Sequence, residues 1–526
     1  MRSREWLNQR ASLGIKLGLD NCKEILSRLD NPHYSFPSIH VAGTNGKGSL
    51  CAQLSSMSSA NGVKTGLFTS PHLIFLEERI RIDGRPIETD QFDDAIEKVR
   101  IASEENPPCS PTFFETTFLA AMVAFRECGV QRAIIETGMG GRLDATILVE
   151  ADLAILTTIS MDHSEYLGQT IGEIASEKVA IHRRGCPLIA IKPQDMGVQR
   201  IISEKAGEDL VWVELEKERT KWDAYSAITS LVAENLGWPV TKHECVWPGR
   251  SPNFGASWIE GIDLKFSAAH NPESIENDIE ETKEVEVILF AMIEKREIQD
   301  SIKSLADAIR LRKTKPKLIF TEVKNGRKPS VRADLLREML HSHYPDIISP
   351  KCIVDSNEAF VEGVMTARHG NGNLLVIGSI YLIGEIMSEI FYSARYNRKK
   401  MTALRYKNYK DLYNGKLKDK ILEIDKNYED FEVSTLGNYI PTKRIGNLIY
   451  ISGQLPLIKN QLITGKVPTE NSIETAKRAA KICMLNTLSI LDQIYSSYSL
   501  ESFSCVHIAG YINSESSFED HPTIIN

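Results

Sequence analysis

The chain has 526 residues, of which 42% are hydrophobic, 25% charged and 7% aromatic. One hydrophobic core stops growing at about 250–300 residues, so this length predicts two or three domains of a globular protein. The net charge of -8 argues against nucleic acid as the main ligand, because that affinity comes largely from basic side chains on phosphates. Nine scattered cysteines, a charged N-terminus and no membrane-length apolar run predict a cytoplasmic protein with reduced thiols and no membrane partner.

Short apolar runs alternate with helical segments over the first half of the chain. Helices are expected at residues 50–59, 91–102 and 116–128, and strands at residues 39–42, 63–68, 132–137, 152–157 and 187–191. This alternation predicts a parallel sheet covered by helices on both faces. A second alternating unit has expected strands at residues 286–291, 317–321, 351–354 and 374–378. We therefore predict an α/β fold with a larger parallel-sheet domain over residues 1–248 and a smaller Rossmann-like domain over residues 249–394.

The first expected strand leads into a glycine-rich loop with the sequence HVAGTNGKGS, residues 40–49. Glycines let backbone N–H groups approach phosphate oxygens, and Lys47 can reach the outer phosphates of a nucleotide. The loop differs from a strict Walker A motif, because Val41 takes the first glycine position and Gly48 separates Lys47 from Ser49. A turn that only joins a strand to a helix is the alternative. We expect seven loop residues to bind ATP: Gly43, Thr44, Asn45, Gly46, Lys47, Gly48 and Ser49.

Three candidate metal ligands occur at strand ends or just beyond them, namely Ser70, Glu136 and His163. Ligands bind at the carboxyl ends of strands in such sheets. Transfer of a phosphoryl group from ATP needs Mg²⁺ on the phosphate oxygens, and a carboxylate is a suitable ligand for it. Taken singly, these residues could also be a turn former, a surface carboxylate and a hydrogen-bonded loop residue.

The phosphate loop and the string GMGGRLDAT, residues 138–146, resemble the folylpolyglutamate and dihydrofolate synthases, relatives of the cell-wall Mur ligases. The resemblance implies an ATP- and Mg²⁺-dependent ligase that joins L-glutamate to pteroate or folate through an acyl phosphate. It implies that Ser70, Glu136 and His163 hold the metal. It also implies that Lys178 is carbamylated, although Val179 and Ala180 depart from the family pattern, so that an ordinary exposed lysine stays an alternative.

Further positions are implied for the pteroate or folate substrate. Thr112 precedes two aromatic residues and a carboxylate, which could stack on a flat heterocycle or pack in the core, and we expect a mixed role. Arg142 could pair with a substrate carboxylate, and Asp144 could orient that arginine or touch the pteridine. The substrate-binding candidates are Arg79, Phe113, Phe114, Glu115, Arg142 and Asp144.

The resemblance weakens in the second domain. Arg250 is kept, and the motif that closes over the nucleotide reads SAAHNP, with Ser267 where the family has aspartate and with His270 retained. Tyr225 stands roughly where a nucleotide-contacting asparagine is expected. A serine cannot offer an ionised acceptor, so nucleotide affinity is expected to suffer. Two alternatives therefore stay open: a folate- or nucleotide-binding pseudoenzyme with an appended oligomerisation module, and a Mur-type ligase acting on a cell-wall precursor.

The last quarter of the chain differs in texture. Residues 395–428 are basic and are interpreted as a solvated linker. Residues 429–526 resemble the RidA (YjgF) family of trimeric imine-hydrolysing proteins, through the string GNLIYISGQLP and an expected helix at residues 476–490. The sequence ends before the segment that carries that family's substrate-binding arginine. We therefore predict a partial α+β domain, which could be an oligomerisation module, a relic, or the product of a merged or cut-off reading frame.

Overall fold

The structure is a computed structural model. It describes residues 2–14, 18–214, 220–239, 245–250, 254, 262–295, 297–370, 372–393, 442–445, 448–458, 461–495, 508–518 and 520–525. The chain divides into two compact units, Met1–Ser388 with Thr402–Arg405, and Glu389–Met401 with Tyr406–Asn526. No helix within the described ranges is long and apolar enough to cross a membrane.

An eight-stranded sheet organises the first part of the first unit. Its strands are β1 (Ser38–Ala42), β2 (Thr65–Phe68), β3 (Ile80–Ile82), β4 (Arg85–Pro86), β5 (Arg132–Glu136), β6 (Ala151–Leu156), β7 (Leu188–Ile191) and β8 (Leu210–Val213). The spatial order is β4-β3-β2-β5-β1-β6-β7-β8. Strand β3 pairs antiparallel with both β2 and β4 near one edge, and the other pairings are parallel.

Helices cover both faces of this sheet, as burial of a parallel sheet requires. They are α1 (Arg2–Arg10), α2 (Asp20–Arg28), α3 (Lys47–Ala60), α4 (Thr89–Glu104), α5 (Phe113–Glu127), α6 (Ser164–Leu167), α7 (Ile171–Val179), α8 (Met196–Ala206) and α9 (Lys221–Asn235). One core cluster joins the sheet to α4 and α5, a second joins it to α3 and α9, and a third joins it to α7 and α8. Every residue of β1 and β5 is buried, which explains their nearly continuous apolar sequences.

A five-stranded parallel sheet follows. Its strands are β9 (Asp263–Phe266), β10 (Val287–Phe290), β11 (Lys317–Phe320), β12 (Lys351–Cys352) and β13 (Asn373–Ile377), in the order β12-β11-β10-β13-β9. Its helices are α10 (Pro272–Glu281), α11 (Ile298–Leu311), α12 (Ala333–His343), α13 (Ser356–Arg368) and α14 (Ile380–Ser393). The predicted α/β fold with two parallel-sheet domains is confirmed.

The second unit contains two antiparallel hairpins and helices. Strands β14 (Thr442–Ile445) and β15 (Leu448–Ile451) form one hairpin, and β16 (Leu457–Ile458) and β17 (Gln461–Leu462) form the other. Helix α15 (Ile473–Tyr495) extends the expected helix at both ends, and α16 (His521–Ile525) lies near the end of the chain. The RidA-like assignment stays a prediction.

The predicted domain boundaries also stay predictions. The boundary after residue 248 falls between α9 and β9. The boundary after residue 394 and the basic linker lie outside the described residues.

Candidate active site

Four adjacent strands deliver the candidate residues to one edge of the larger sheet. In the order β2-β5-β1-β6, the chain leaves β2 just before Ser70, ends β5 at Glu136, enters the phosphate loop after β1, and reaches His163 after β6. The strand order reverses around β1, whose neighbours β5 and β6 both come later in the sequence. Such a switch point is where open α/β sheets bind their ligands.

The phosphate loop has the backbone geometry that its glycines predict. Gly43 and Gly46 have φ values of 143° and 85°, and a Cβ on Gly43 would lie 1.8 Å from the Thr157 hydroxyl oxygen. Only glycine therefore fits at position 43. Lys47 begins α3, and its Nζ donates to the carbonyl oxygens of Gly43 and Thr44 at 3.0 and 3.2 Å. The N-terminus of α3 adds its partial positive charge to the loop.

Glu136 and Ser70 lie together beside this loop. The Glu136 carboxylate is 4% exposed and accepts a hydrogen bond from the Ser70 backbone N–H at 3.0 Å. A Cβ on Gly48 would lie 3.4 Å from Glu136 Oε2, so the carboxylate packs against the start of α3. Burial raises the pKa of Glu136, while the positive charges of Lys47 and Arg250 oppose that shift. The alternative of an ordinary surface carboxylate is therefore wrong.

A cleft opens between the two domains of the first unit at this place. Twelve residues line it: Gly48, Thr69, Ser70, Pro71, Leu73, Glu78, Arg81, Glu136, Trp247, Pro248, Arg250 and Ile380. The lining joins one end of the phosphate loop to the predicted metal ligands of two strands and to an arginine of the second domain. The cleft is therefore lined by residues of both domains.

His163 lies near Lys47 and Lys178. It makes no hydrogen bond or ion pair with Ser70 or Glu136 in the described part of the chain. Its backbone N–H donates to Asp162 at 3.0 Å, and its φ is 50°. Burial lowers the pKa of His163, Asp162 opposes this shift, and the positive charges of Arg327 and Lys47 add to it. No group of three or more His, Cys, Asp or Glu that could hold a metal occurs among the described residues. The predicted metal ligands are one glutamate, one histidine and one serine, and a serine hydroxyl is not among those four side-chain types.

Lys178 is buried under the phosphate loop. Its side chain is 3% exposed, and its Nζ donates to the Gly43 carbonyl oxygen at 2.9 Å. Burial lowers the pKa of Lys178 to about 7, and the nearby charge of Lys47 contributes. The alternative of an exposed lysine is therefore wrong. The end of α7 also packs on the GRLDAT segment, because a Cβ on Gly141 would lie 2.7 Å from the Glu177 carbonyl oxygen.

The predicted aromatic wall lies at the start of α5. Thr112 and Glu115 cap the helix: the Thr112 N–H donates to Glu115 Oε2 at 2.6 Å, and the Glu115 N–H donates to the Thr112 hydroxyl at 3.3 Å. The Glu115 carboxylate thus serves the helix cap. Phe113 lies under the Arg79 guanidinium at 5.2 Å, and Phe114 packs on Phe68 with ring centroids 5.7 Å apart. Both aromatic rings are partly buried, which agrees with a mixed role.

The anion-binding candidates have different surroundings. Arg79 is buried, and its Nε donates to His72 Nδ1 at 3.0 Å; burial lowers its pKa to about 10. Arg142 is 57% exposed and pairs with Glu177 at 2.9 Å. Asp144 accepts hydrogen bonds from the Met139 N–H and from the Thr146 N–H and hydroxyl, and so holds its own loop. The expectation that Asp144 orients Arg142 is therefore wrong.

The second domain brings the remaining candidates to the mouth of the loop. The Asn271 side-chain amide donates to Asn45 Oδ1 at 2.7 Å, which joins the two domains at the phosphate loop. His270 Nδ1 lies 2.9 Å from the Ala268 carbonyl oxygen, and burial lowers the pKa of His270 to about 4. The Ser267 hydroxyl donates to Asp278. Arg250 lines the cleft.

Sequence reasoning missed two residues of this region. Lys295 donates to the His270 carbonyl oxygen and lies close enough to Asp162 for the two charges to interact. Asp162 directly precedes His163 in the sequence, and Lys295 closely follows the buried strand β10. A search for charged residues just after each expected strand of the second domain would have found Lys295.

Comparison with known proteins agrees with this geometry. Residues 41–235 match the family model of the Mur ligase middle domain. Dihydrofolate synthase/folylpolyglutamate synthase of Bacillus subtilis strain 168 is 28% identical over 436 residues, and the match covers 74% of this chain and 98% of that protein.

Two solved structures share the fold of the two parallel-sheet domains. Escherichia coli FolC in complex with DHPP and ADP matches with a TM-score of 0.63 and 24% identity, over 74% of this chain and 97% of that chain. A bifunctional folylpolyglutamate synthase/dihydrofolate synthase with Mn, AMPPNP and L-glutamate bound matches with a TM-score of 0.62 and 24% identity, over 74% and 98%. The resemblance to these synthases that the sequence motifs indicated is confirmed.

Proposed function

We propose that the protein is an ATP- and Mg²⁺-dependent ligase that joins L-glutamate to dihydropteroate, to a folyl-glutamate, or to both. The names of its relatives support this reaction. One observation of the structure carries the proposal: a phosphate loop, a buried carboxylate and an interdomain cleft meet at the switch point of a parallel sheet. The metal-ligand, nucleotide and substrate roles of single residues are part of the proposal.

The residues present fit a magnesium ion. Glu136 offers a buried carboxylate, Ser70 a hydroxyl beside it, and His163 an imidazole that its lowered pKa keeps neutral at pH 7. Burial of Glu136 disfavours its charge, so a cation at this place would relieve a cost that the fold already carries. We propose that these three residues hold Mg²⁺, which when bound neutralises charge on the phosphate oxygens of ATP.

The chain's own residues position the nucleotide. The N–H groups of residues 43–49 and the N-terminus of α3 face the triphosphate, and Lys47 exchanges its bonds to the loop carbonyls for the outer phosphates. Arg250 in the cleft adds a fork of N–H donors near Glu136. Preorganised donors of this kind stabilise charge more strongly than water does where the site is partly shielded from solvent.

The reaction then has two transfers. An oxygen of the pteroate or folyl carboxylate attacks the γ-phosphorus as the bond to ADP breaks, which gives an acyl phosphate. The glutamate nitrogen attacks the acyl carbon, loses a proton, and expels phosphate as the amide forms. The cleft beside Glu136 and Arg250 brings the two reactants together, which removes most of the entropy cost of their encounter.

The pterin side of the site is proposed at the aromatic wall. Phe113 presents a ring next to the buried Arg79, whose Nε donates to His72 Nδ1. An aromatic face and a buried cation suit a flat heterocycle with an anionic tail. The exposed Arg142 is suited to a more distant carboxylate of a longer substrate.

We also propose a cellular location for the protein. The described cysteines are all free, which suits the reducing cytoplasm. We propose that residues 429–526 are a RidA-like module through which the chain could oligomerise. A Mur-type cell-wall ligase and a nucleotide-binding pseudoenzyme remain the competing functions.

A single assay separates these functions. Purified protein is incubated with ATP, Mg²⁺, L-glutamate and either dihydropteroate or tetrahydrofolate, and phosphate release and product mass are measured. The proposal expects phosphate release that depends on a pterin and a product extended by one glutamyl residue. Phosphate release that occurs when both pterins are left out would contradict the folate assignment. Binding of ATP without turnover on any acceptor would favour the pseudoenzyme.

A further inference from the structure

Three side chains meet where α9 of the first domain faces α10 of the second. The Lys221 ammonium donates to Asp278 Oδ1, and the Ser267 hydroxyl donates to Asp278 Oδ2. Lys221 also lies 3.4 Å from Glu281. Each carboxylate oxygen can accept two hydrogen bonds, so Asp278 keeps acceptor capacity on both oxygens. Its side chain is 19% exposed, which leaves that capacity accessible.

This group lies next to the phosphate loop. Tyr225 is one helical turn after Lys221, and a Cβ on Gly46 would lie 1.8 Å from its hydroxyl oxygen. Tyr225 is 5% exposed. The charges of Lys221 and Asp278 both act on Tyr225. Tyr225 thus links the glycine loop to the Lys221–Asp278 pair, so this pair lies beside the phosphate loop.

The chemistry of Asp278 suits the sugar of that nucleotide. A ribose carries two hydroxyl donors, and a carboxylate is a strong acceptor for them, as in dinucleotide-binding folds where an acidic residue binds the ribose. A bare carboxylate would repel a triphosphate. Lys221 neutralises Asp278, so the acceptor is available without that repulsion.

We propose that Asp278 accepts a hydrogen bond from a ribose hydroxyl of the nucleotide held by the phosphate loop, and that Lys221 and Ser267 position its carboxylate. The proposal rests on the proposed function in one respect, because it needs a nucleotide at that loop. It also gives Ser267 a role: the serine carries no charge, but its hydroxyl directs the carboxylate of Asp278 to the same place.

The test measures binding without turnover. Binding of ATP, 2′-deoxy-ATP and 3′-deoxy-ATP to the full chain with Mg²⁺ and no pterin is followed by calorimetry. At least one deoxynucleotide is expected to bind about tenfold more weakly than ATP, which is the usual size of one hydrogen bond to a charged group. Asp278→Ala is expected to bind all three nucleotides with the same weakened affinity. Glu281→Ala is the matched control, because Glu281 contacts the same lysine but not Ser267, and it is expected to keep the discrimination.

Each outcome has one meaning. Equal binding of the three nucleotides to the unaltered chain overturns the proposal without any variant, and leaves the proposed function standing. Discrimination that survives in Asp278→Ala also overturns it. A folded, unaltered chain that binds no ATP contradicts the proposed function as well as the sugar site.

Discussion

Lys47 and Lys178 both donate to the carbonyl oxygen of Gly43, although one lies in the phosphate loop and the other in α7. Two ammonium groups at one acceptor repel each other, and burial adds to the cost of the inner charge. The pKa of Lys178 falls to about 7 for these reasons. A large share of Lys178 is therefore a neutral amine at physiological pH, which is the form that reacts with carbon dioxide.

Carbamylation of Lys178 is the first expected outcome. The amine adds to the carbon of CO₂ and loses a proton, and the resulting anion offsets the charge of Lys47. Because only the neutral amine reacts, carbamate and activity should both fall as the pH falls through about 7. Carbon-13 NMR of the protein with labelled bicarbonate should give a carbamate signal that Lys178→Ala lacks. The same signal at full strength in that variant would place the modification elsewhere.

Lys47→Ala tests the phosphate loop. The variant removes a cation aimed at the outer phosphates, and loss of one such preorganised donor typically lowers kcat by about 10²–10³-fold. Pterin-dependent phosphate release measures the effect, with Lys64→Ala as a control on an exposed lysine. Turnover that is unchanged in Lys47→Ala would mean that the observed hydrolysis belongs to another site.

At the scale of elements, the site depends on how closely the second domain approaches the loop that carries Ser70. Gly384 in α14 lies against this loop: an added Cβ would lie 2.2 Å from the Leu73 carbonyl oxygen. Backbone cannot yield as a side chain can. Gly384 therefore allows α14 to approach the Ser70 loop closely.

Gly384→Ala should open the interdomain cleft. The clash with backbone must displace α14 or the Ser70 loop, and a shift of about 1 Å in a reacting group can cost up to about 10²-fold in rate. Steady-state kinetics should record a lower kcat/KM for the folate substrate. Gly363→Ala is the control, because its added Cβ meets a flexible leucine side chain at 3.2 Å. Equal effects of the two substitutions would show that the loss comes from general destabilisation.

Much of this arrangement could be predicted from the sequence. The apolar runs that became β1, β5 and β10 were found, because a strand buried on both faces reads as an unbroken apolar segment. Strands β3, β4, β8 and β9 were missed: the first two carry arginines, and β8 and β9 are only partly buried at sheet edges. Edge strands lack the signal that burial imposes on central strands.

Site residues were predictable where a local motif carried them. Glu136 is the last residue of β5, and Lys47 ends the glycine-rich loop that follows β1. The structure brings the two side chains close enough for their charges to interact. Contacts between distant segments were not predictable: the bonds of Asp278 to Lys221 and Ser267 depend on how two domains pack. The helix-capping role of Glu115 was also missed, although Thr112 followed three residues later by a glutamate is a capping signal.

For the whole molecule, the division into two compact units has a functional consequence. The residues of the proposed reaction all belong to the unit that contains Met1–Ser388. The second unit supplies none of them. Its hairpins and long helix are instead the part of the chain that we propose could oligomerise.

Truncation tests this division. A chain of residues 1–405 should keep the kcat and KM of the full protein, since it retains the first unit completely. Phosphate release per mole of protein measures the activity, and light scattering compares the masses of the two proteins in solution. A truncated chain that folds but loses turnover would show that the second unit takes part in the reaction.

The most direct measurement is a crystal structure of the full chain with Mn²⁺ and a non-hydrolysable ATP analogue. The account predicts an anomalous manganese peak at about 2.0–2.2 Å from the Ser70 hydroxyl, the Glu136 carboxylate and the His163 imidazole, with the analogue's phosphates on residues 43–49. A metal held by other side chains, or phosphates bound away from Lys47, would contradict it.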